Sequence, residues 1–475
     1  MQNRDYHLAI DIGASSGRHM LFSLDPETGK IEYEEIYRFE NAMTRQGRHL
    51  LWDVDRLFSE IKTGMRRCAE TGRIPKTMAI DTWAVDYVLL DEKDQRLGDA
   101  FGYRDHRTDG MDEEVKRVIS EEDLYRRTGI QKQIFNTIYQ LTADRIQRPG
   151  LLEKAKVFLM LPDYFAFLLT GKKASEYTNA TSTQLLDHKK KQWDIDLIKM
   201  LGLPEGIFLP LSEPGNSLGH LKEDIQKEVG FDLEVLQCAT HDTASAVMAM
   251  PYAGGTEEGA VYISSGTWSL MGTELPEALC DEESRHDNFT NEGGYEYRFR
   301  YLKNIMGLWM IQSVRHETGD SYSFPELASL AEKKDGFKSL VDVNDDSFLA
   351  PENMTRAIRD YCERTGQRAP HDIGELSSVI YRSLAKCYGD TVSEIEKNTK
   401  QKYDSIYIIG GGCNNDYLNR LTARTTGKTV YAGPSEATAI GNALSQMIAK
   451  REIKDLQEAR RMIKSSFLIR TYYPD

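Results

Sequence analysis

The sequence predicts an α/β protein with two domains. Its 475 residues exceed what a single hydrophobic core usually organises. In the N-terminal half, apolar and β-branched runs alternate with segments of helical periodicity, which is typical of a sheet covered by helices. Short turns of glycine and hydroxyl residues lie at 11–18 and 263–270, and they suggest duplicated domains that each offer a phosphate-binding turn. So short a pattern also arises by chance.

The N-terminal elements follow from the spacing of apolar residues. A helix is predicted over 52–70, where apolar residues recur at helical spacing, and further helices are predicted up to about residue 200. A strand that runs into a helix is predicted over 233–250. Four other strands are predicted at 8–13, 17–24, 30–39 and 78–91.

A domain boundary is predicted in the segment PYAGGTEEG (251–259), where a proline and two glycines interrupt the pattern. The predicted domains are therefore residues 1–250 and 251–475. A new β-hairpin follows directly after this boundary, at 260–272.

Composition and charge exclude several classes of function. The formal net charge of -14 argues against nucleic acid as a partner, because phosphate binding needs clustered Lys and Arg. The longest apolar stretch, at 157–171, is interrupted by Pro162 and Asp163 and is too short for a membrane span. The six cysteines are scattered, without the spacing of a disulfide framework or a zinc site. We therefore expect a cytoplasmic protein with reduced thiols and no membrane partner.

The first glycine turn has the composition of an anion site. Gly13 and Gly17 allow the backbone to approach a phosphate closely, and Arg18 adds a fixed positive charge. Asp11, at the end of the first strand, is placed to hold a hydrated Mg²⁺ near such phosphates. The alternative is a tight β-turn in which glycine serves only its backbone dihedrals.

Asp242 lies where a predicted strand meets a predicted helix. Aspartate is common at that position as a helix cap. The alternative is a general base that accepts a proton from a hydroxyl as that hydroxyl attacks a phosphate, with His241 beside it as a contact to the same molecule.

Two C-terminal segments add candidates for ligand contacts. Three consecutive glycines, Gly410 to Gly412, join a predicted strand to a predicted helix and would let the backbone lie against an adenine ring or a ribose. A helix is predicted over 300–314, with its apolar stripe facing the core. Asn304 and Gln312 would then follow one helical face, although exposed amides are common.

Taken together, these segments resemble the FGGY carbohydrate kinases of the actin–hexokinase superfold. The resemblance covers essentially the whole chain, and one branch of the family, which phosphorylates a deoxyketose, matches best at WDVD, DTWxVD and HDTASAV. The blocks that carry it include DIGASSGR (11–18), WDVDRLFSEI (52–61), IDTWAVDYVLLD (80–91), YTNATSTQLL (177–186), HDTASAV (241–247), SSGTWSLMG (264–272), TNEGG (290–294), GGGCNN (410–415) and AGPSEATAIGN (432–442).

The resemblance implies a fold and a set of ligands. The fold would be two RNase H-like domains, of the actin/hexokinase type, that flank an interdomain cleft. The ligands would be ATP, Mg²⁺ and a small-molecule ketose, and the protein would be a monomer or a weak homo-oligomer. Asp242 would be the catalytic base.

The resemblance also assigns contacts, carried over to matching positions. ATP would contact Ala14, Ser15, Ser16, Gly17, Arg18, Thr267, Gln312 and Gly411. The ketose would contact Ala84, His241, Asp242, Thr243 and Asn304. Ala84 departs from the family, which usually has glycine there, and its methyl group would trim the sugar pocket.

Two other classes of protein share part of this pattern. An actin-like ATPase that acts as a chaperone or filament would share the phosphate-binding turns, but a chaperone would carry a peptide-binding domain after the last glycine motif. Here only about 30 residues follow that motif. A sugar-binding regulator would lack the Asp242 base and would usually carry a helix-turn-helix, which the sequence does not show.

Overall fold

The computed structural model describes residues 4–251, 260–349 and 351–474. Most of the predicted boundary segment, residues 252–259, lies outside the described residues. The strands are β1 His7–Ile12, β2 Ser16–Leu24, β3 Ile31–Glu40, β4 Thr44–Gln46, β5 His49–Trp52, β6 Thr77–Thr82, β7 Tyr87–Leu90, β8 Ala100–Phe101, β9 Val157–Met160, β10 Ser175–Glu176, β11 Leu186–Asp187, β12 Gln192–Trp193, β13 Leu211–Ser212, β14 Ser217–His220, β15 Glu234–Leu236, β16 Ala260–Ser265, β17 Ser269–Leu275, β18 Thr290–Gly293, β19 Phe299–Ile305, β20 Ser405–Ile409, β21 Thr429–Ala432 and β22 Arg470–Tyr472.

Helices are interspersed with these strands along the whole chain, so the predicted α/β class is confirmed. The helices are α1 Val54–Thr71, α2 Met111–Lys116, α3 Glu121–Thr128, α4 Thr137–Gln147, α5 Pro149–Lys154, α6 Leu161–Thr170, α7 Tyr177–Thr181, α8 Ile195–Met200, α9 Glu223–Val229, α10 Asp242–Met248, α11 Glu282–His286, α12 Trp309–Glu317, α13 Phe324–Glu332, α14 Met354–Arg364, α15 Ile373–Thr399, α16 Asp416–Thr426, α17 Ala437–Ala449 and α18 Leu456–Ser466. Among the described residues, no helix has the length and apolar character needed to cross a membrane.

The chain divides into two compact units that are not contiguous in sequence. The first unit comprises Met1–Ala249, Leu275–Tyr301 and Thr438–Ser466. The second unit comprises Met250–Glu274, Leu302–Ala437 and Phe467–Asp475. The division into contiguous domains 1–250 and 251–475 stays a prediction. It differs from the compact units in that Leu275–Tyr301 and Thr438–Ser466 pack with the first unit.

The first unit is built on a six-stranded sheet in the order β14-β15-β6-β1-β2-β3. β1 pairs in parallel with β6 and antiparallel with β2. Residues of β1 and β6 join α1 in one hydrophobic core. α1 starts at the cap Asp53, whose side chain accepts a hydrogen bond from the Arg56 N–H, and ends at Gly72 with φ of 72°. This sheet holds β1 and β6 with their carboxyl ends at the same edge.

The second unit contains a sheet with β19, β17, β16, β20, β21 and β22 in that order. β16 and β17 form the predicted hairpin, and β16 pairs in parallel with β20. As in the first unit, an antiparallel hairpin lies next to a parallel pair. The predicted strand, glycine turn, helix and strand over 405–430 are confirmed as β20, the glycines, α16 and β21.

Two predicted elements are wrong in detail. Residues 300–314 are not one helix, because β19 extends to Ile305 and α12 begins only at Trp309. Between them, Gly307 lies so close to β17 that an added Cβ would be 2.6 Å from the Ser269 nitrogen. Asn304 and Gln312 therefore do not share a helical face. The predicted strand over 78–91 is interrupted by a turn between β6 and β7, in which Val85 has φ of 67°.

Candidate active site

Two aspartates lie side by side where parallel strands end in the first unit. Asp11 on β1 is in register with Asp81 on β6, and both are buried. The Asn442 side-chain amide donates a hydrogen bond of 2.6 Å to Asp81 Oδ2. Burial, and after it the negative charge of Asp11, raise the pKa of Asp81 well above its usual range. Asp81 is therefore buried and hydrogen-bonded, and its carboxyl group is not accessible as a base.

The first glycine turn joins β1 to β2, and its tip is open to solvent at Ser15. The Gly13 N–H donates to the Ser16 carbonyl oxygen at 2.9 Å. Arg18 Nε lies 2.9 Å from Asp11 Oδ2, so the cation and the buried carboxylate form an ion pair at this turn. Packing excludes a larger residue at Gly17, because a Cβ there would lie 2.1 Å from the Phe39 ring.

Ala84 lies in a strained turn directly after β6. The Asp86 N–H donates to the Ala84 carbonyl oxygen at 2.9 Å and closes a three-residue turn around Val85. Positive φ is rare for a β-branched residue, so this turn requires support from its surroundings. Ser182 Oγ accepts from the Val85 N–H at 3.2 Å, and Thr137 Oγ1 donates to the Val85 carbonyl oxygen at 2.7 Å. These bonds hold the half-buried Ala84 in place.

The segment before α10 is joined to the end of β6. The Thr82 N–H donates to the Thr240 carbonyl oxygen at 3.0 Å. Buried Glu176 accepts hydrogen bonds from both the backbone N–H and the hydroxyl of Thr240, at 3.1 and 2.7 Å. This network fixes the chain just before His241 and Asp242.

Asp242 is the first residue of α10 and does not cap it. The N-cap position belongs to His241, which makes no side-chain cap hydrogen bond. The Asp242 carboxylate accepts instead from Thr243 Oγ1 at 3.0 Å. Its side chain is 32% exposed, whereas Asp11 and Asp81 are buried. Burial of the carboxyl group and, after it, the charge of Asp11 raise the pKa of Asp242 to about 6.

His241 lies between Asp242 and a buried ion pair. Its Nε2 is 3.5 Å from Asp242 Oδ1, and its Nδ1 is 2.9 Å from Arg300 Nη2. Arg300 in turn lies 3.1 Å from Glu292 Oε2. Burial, together with the adjacent Arg300 cation, lowers the pKa of His241 well below its usual range. The imidazole is therefore neutral near pH 7.

The second unit brings its predicted ATP contacts together around one hairpin. The Thr267 carbonyl oxygen accepts from the Trp309 N–H at 3.0 Å, so the tip of the β16–β17 hairpin holds the start of α12, the helix that carries Gln312. The glycine turn also packs on the end of β16. A Cβ on Gly412 would be 1.9 Å from Ser265 Oγ, whereas Gly411 has open space around it.

Asn304 has an unsatisfied acceptor. It lies half-buried on β19, and its Oδ1 is buried with no hydrogen-bond partner among the described residues. A buried acceptor without a partner costs free energy, and such groups are often explained by a ligand or water.

The polar residues that sequence reasoning missed include Asp81, Glu292, Arg300 and Asn442. A signal for Asp81 was present, because Ala-Ile-Asp occurs at 9–11 and again at 79–81, in two strands that prove to be parallel neighbours in register. Glu292 lies in the TNEGG block, but nothing in the sequence pairs it with Arg300.

A metal site made of protein ligands alone is not present in the described part of the chain, where no group of three or more His, Cys, Asp or Glu residues could hold an ion. Mg²⁺ usually keeps several waters and binds one or two carboxylates together with substrate phosphates. Asp11 beside the glycine turn is a single carboxylate of the kind that this second mode requires.

Comparison with known proteins places the chain in a family. Residues 6–249 match the N-terminal domain, and residues 261–450 the C-terminal domain, of the FGGY family of carbohydrate kinases. A protein of Halalkalibacterium halodurans named Rhamnulokinase is 53% identical over 98% of this chain and 98% of its own length. The Rhamnulokinase of Bacillus subtilis is 45% identical over 98% of this chain and 95% of its own length.

Solved structures agree with the fold at much lower identity. A xylulose kinase from Lactobacillus acidophilus superposes with a TM-score of 0.78 at 16% identity, covering 99% of this chain and 94% of that one. Plasmodium falciparum glycerol kinase with ADP superposes with a TM-score of 0.78 at 13% identity, covering 99% of this chain and 95% of that one. The two-domain, actin/hexokinase-like fold predicted from the sequence is confirmed. The chain is an enzyme of the FGGY family of carbohydrate kinases.

Proposed function

We propose that this kinase transfers the γ-phosphoryl group of ATP to L-rhamnulose, giving ADP and L-rhamnulose 1-phosphate. The observation that carries the proposal is an accessible carboxylate, Asp242, next to a neutral His241 in a chain that is similar over 98% of its length to proteins named Rhamnulokinase. The second candidate is the same reaction on another deoxyketose, such as L-fuculose. This second candidate is kept because of the half-buried Ala84, whose methyl group would narrow the proposed sugar pocket at a position where the family usually has glycine.

Asp242 is the proposed general base. A sugar hydroxyl is a poor nucleophile near neutral pH, so its proton must leave as the oxygen attacks phosphorus. A carboxylate with a pKa of about 6 is ionised at pH 7 and is more basic than an ordinary aspartate. Asp11 is paired with Arg18, and Asp81 is fully buried and hydrogen-bonded to Asn442, so neither is proposed to take that proton.

ATP is proposed to bind through both glycine-rich turns. Support comes from the solvent-open turn around Ser15, the Arg18 cation beside it, and the open space at Gly411. The contacts proposed for ATP are Ala14, Ser15, Ser16, Gly17, Arg18, Thr267, Gln312 and Gly411. Asp11 would hold Mg²⁺ through its waters, and the ion would neutralise charge on the transferring phosphoryl group.

The ketose is proposed to contact Ala84, His241, Thr243 and Asn304, in addition to Asp242. His241 can donate a hydrogen bond from Nε2, and Asn304 has an acceptor that lacks a partner. The cytoplasmic location and the state of monomer or weak homo-oligomer stay predictions from the sequence.

A substrate panel tests this function. ADP release is measured with L-rhamnulose, L-fuculose, L-xylulose and glycerol at saturating ATP and Mg²⁺, and ³¹P NMR identifies the phosphorylated position. We expect the highest kcat/KM with L-rhamnulose and a 1-phosphate product. A clearly higher kcat/KM with glycerol or L-xylulose would contradict the assignment of substrate, and a higher value with L-fuculose would favour the second candidate.

A further inference from the structure

The TNEGG block and the strand after it contain a buried charge pair that the proposed reaction does not use. Arg300 on β19 has no solvent exposure, and Glu292 on β18 is 7% exposed. Arg300 Nη2 lies 3.1 Å from Glu292 Oε2, and Arg300 Nε donates to the Gly293 carbonyl oxygen at 3.1 Å. Burying two charges is expensive, and an apolar pair of similar volume is often no less stable, so stability alone is weak grounds for this pair.

The third partner of Arg300 is His241, at 2.9 Å between Nη2 and Nδ1. A guanidinium group does not lose its protons in proteins and cannot accept a hydrogen bond. Nδ1 must therefore be the acceptor, with its lone pair directed at Arg300. A neutral imidazole carries one proton, so that proton is on Nε2. The chemistry of the partner fixes the tautomer.

Glu292 keeps this arrangement electrically balanced. Its Oε2 is also 3.4 Å from His241 Nδ1, which without Arg300 would favour a proton on Nδ1. Arg300 neutralises that carboxylate and at the same time occupies the Nδ1 lone pair. The histidine then presents Nε2–H on the side of Asp242, where Nε2 is 3.5 Å from Oδ1.

We propose that Arg300, balanced by Glu292, is a positioning residue that holds His241 as the neutral Nε2–H tautomer, so that His241 donates to a ketose oxygen and Asp242 alone accepts the reacting proton. This rests on the proposed function for the identity of the ketose. Arg300 touches neither substrate in this assignment. It prevents His241 from acting as a competing base, because the only free nitrogen of the ring already carries its proton.

The direct test is ¹⁵N NMR of histidine side chains in the full-length enzyme at about pH 7. The signal of His241 is identified among the 10 histidines by its loss in His241→Gln. We expect a neutral ring with a protonated Nε2 and an unprotonated Nδ1, and little change between about pH 6 and pH 8. An imidazolium, or a ring protonated at Nδ1, overturns the proposal. This measurement on the wild-type enzyme needs no Arg300 variant to fold.

Variants then test the consequence for substrate binding. Arg300→Met should raise the ketose KM and lower kcat/KM for the ketose by roughly 10- to 100-fold, while the KM for ATP changes by less than about twofold. Arg300→Lys keeps a cationic donor and should restore the Nε2–H signal and part of the activity. The proposal is overturned if Arg300→Met keeps both the Nε2–H tautomer and kcat/KM within about twofold of wild type.

The matched control is Arg127→Met, which removes another arginine–carboxylate pair of the first unit. Arg127 Nη2 lies 2.6 Å from Asp194 Oδ1 and has no contact with His241 among the described hydrogen bonds and ion pairs. We expect the His241 signal and the ketose KM to stay as in wild type. If the wild-type enzyme phosphorylates no deoxyketose, the proposed substrate fails, yet the NMR spectrum still decides the tautomer of His241.

Discussion

Asp11, Asp81 and Asp242 in the first unit have different surroundings, and these suit the three aspartates to different proposed roles. Asp11 pairs with Arg18, Asp81 receives a hydrogen bond from Asn442, and Asp242 is the one of the three that is partly exposed. Asp11 helps to raise the pKa of both other groups. A carboxylate made more basic by its neighbours and still open to a substrate is suited to general base catalysis.

Asp242→Asn should remove most of the activity while leaving both ligands bound. A positioned base contributes about 10²- to 10⁴-fold to such a step, so kcat should fall by that factor with little change in the KM for either substrate. The amide keeps the shape of the side chain and can still accept from Thr243. Measuring kcat, ATP affinity and ketose affinity on one preparation checks this. A variant that keeps more than about a tenth of wild-type kcat would show that Asp242 is not the base.

If Asp242 is the base, the rate of the wild-type enzyme should fall in acid because its carboxylate becomes protonated. With a pKa of about 6 for Asp242 in the free enzyme, kcat/KM for the ketose should decrease by about tenfold per pH unit below that value. His241 should add no further step, since its pKa lies well below its usual range. The profile is measured with ATP saturating. A flat profile down to about pH 5 would be inconsistent with an Asp242 pKa near 6.

The same pKa shift predicts that the ionised Asp242 carboxylate lowers the free energy of unfolding. The pKa of Asp242 is raised from an unfolded value of about 3.9, so the folded chain binds more protons than the unfolded chain between about pH 4 and pH 6. The free energy of unfolding must then fall as pH rises through that window, and the cost is fully present at pH 7. Asp242→Asn should therefore have a Tm equal to or above that of wild type at pH 7, and the difference should shrink towards pH 4. A Tm lowered by the substitution at pH 7 would contradict this.

At the scale of elements, turn residues and apolar runs predicted the strands and turns that depend on neighbouring residues in the sequence. Both glycine hairpins and the strand–glycine–helix segment after residue 405 were predicted from turn residues and apolar runs, and all are confirmed. The segment 300–314 was misassigned because the residues of β19 up to Leu302 are buried in succession, so the strand lacks the alternation of buried and exposed residues that marks a half-buried strand. Such a run fits a buried strand as well as a helix. Gly307 follows the end of the strand, and its close packing against β17 cannot be predicted from the sequence.

The three consecutive glycines after β20 should respond differently to alanine. Gly410 has φ of 83°, and its Cβ would lie 3.0 Å from the Ser265 carbonyl oxygen, whereas Gly412 would collide with the Ser265 side chain. Both substitutions should lower the free energy of unfolding by about 1–3 kcal/mol. Gly411→Ala meets no atom within 4 Å, so its stability should change by less than about 0.5 kcal/mol.

Gly411→Ala therefore tests nucleotide binding separately from protein stability. If backbone lies against the nucleotide at Gly411, a methyl group there should raise the KM for ATP several-fold and leave the KM for the ketose unchanged. Thermal unfolding and both KM values are compared across the three alanine variants. Unchanged ATP binding in Gly411→Ala would show that Gly411 does not contact ATP. A large loss of stability would contradict the open space around this glycine.

At the scale of the whole molecule, the sequence could not predict that the first unit is completed by the end of the chain. The Gln446 side-chain amide donates to the Leu8 carbonyl oxygen at 3.1 Å and accepts from Thr77 Oγ1 at 2.6 Å, and Asn442 bonds Asp81. These residues of α17 are fully buried. Their partners lie more than 360 positions away, and no periodicity or spacing in one sequence encodes such a pairing.

A chain of residues 1–250 alone should therefore fail to fold, although it matches the predicted N-terminal domain. It would lack α17 and with it the hydrogen bonds that this helix makes to Asp81, Thr77 and the Leu8 carbonyl oxygen, each worth about 0.5–1.5 kcal/mol. It would also expose the apolar surface that α17 and residues 275–301 cover within the first unit. These losses together are comparable to the whole stability of a domain, about 5–15 kcal/mol.

In the full chain, Gln446→Ala should lower the free energy of unfolding by about 1–3 kcal/mol, while Gln192→Ala, at an exposed position on β12, should change it by less than about 0.5 kcal/mol. Circular dichroism and urea unfolding of the fragment and of both variants decide the question. A 1–250 fragment that unfolds cooperatively near the midpoint of the full-length enzyme would mean that the contacts from α17 contribute little, and that the first unit is complete without the end of the chain.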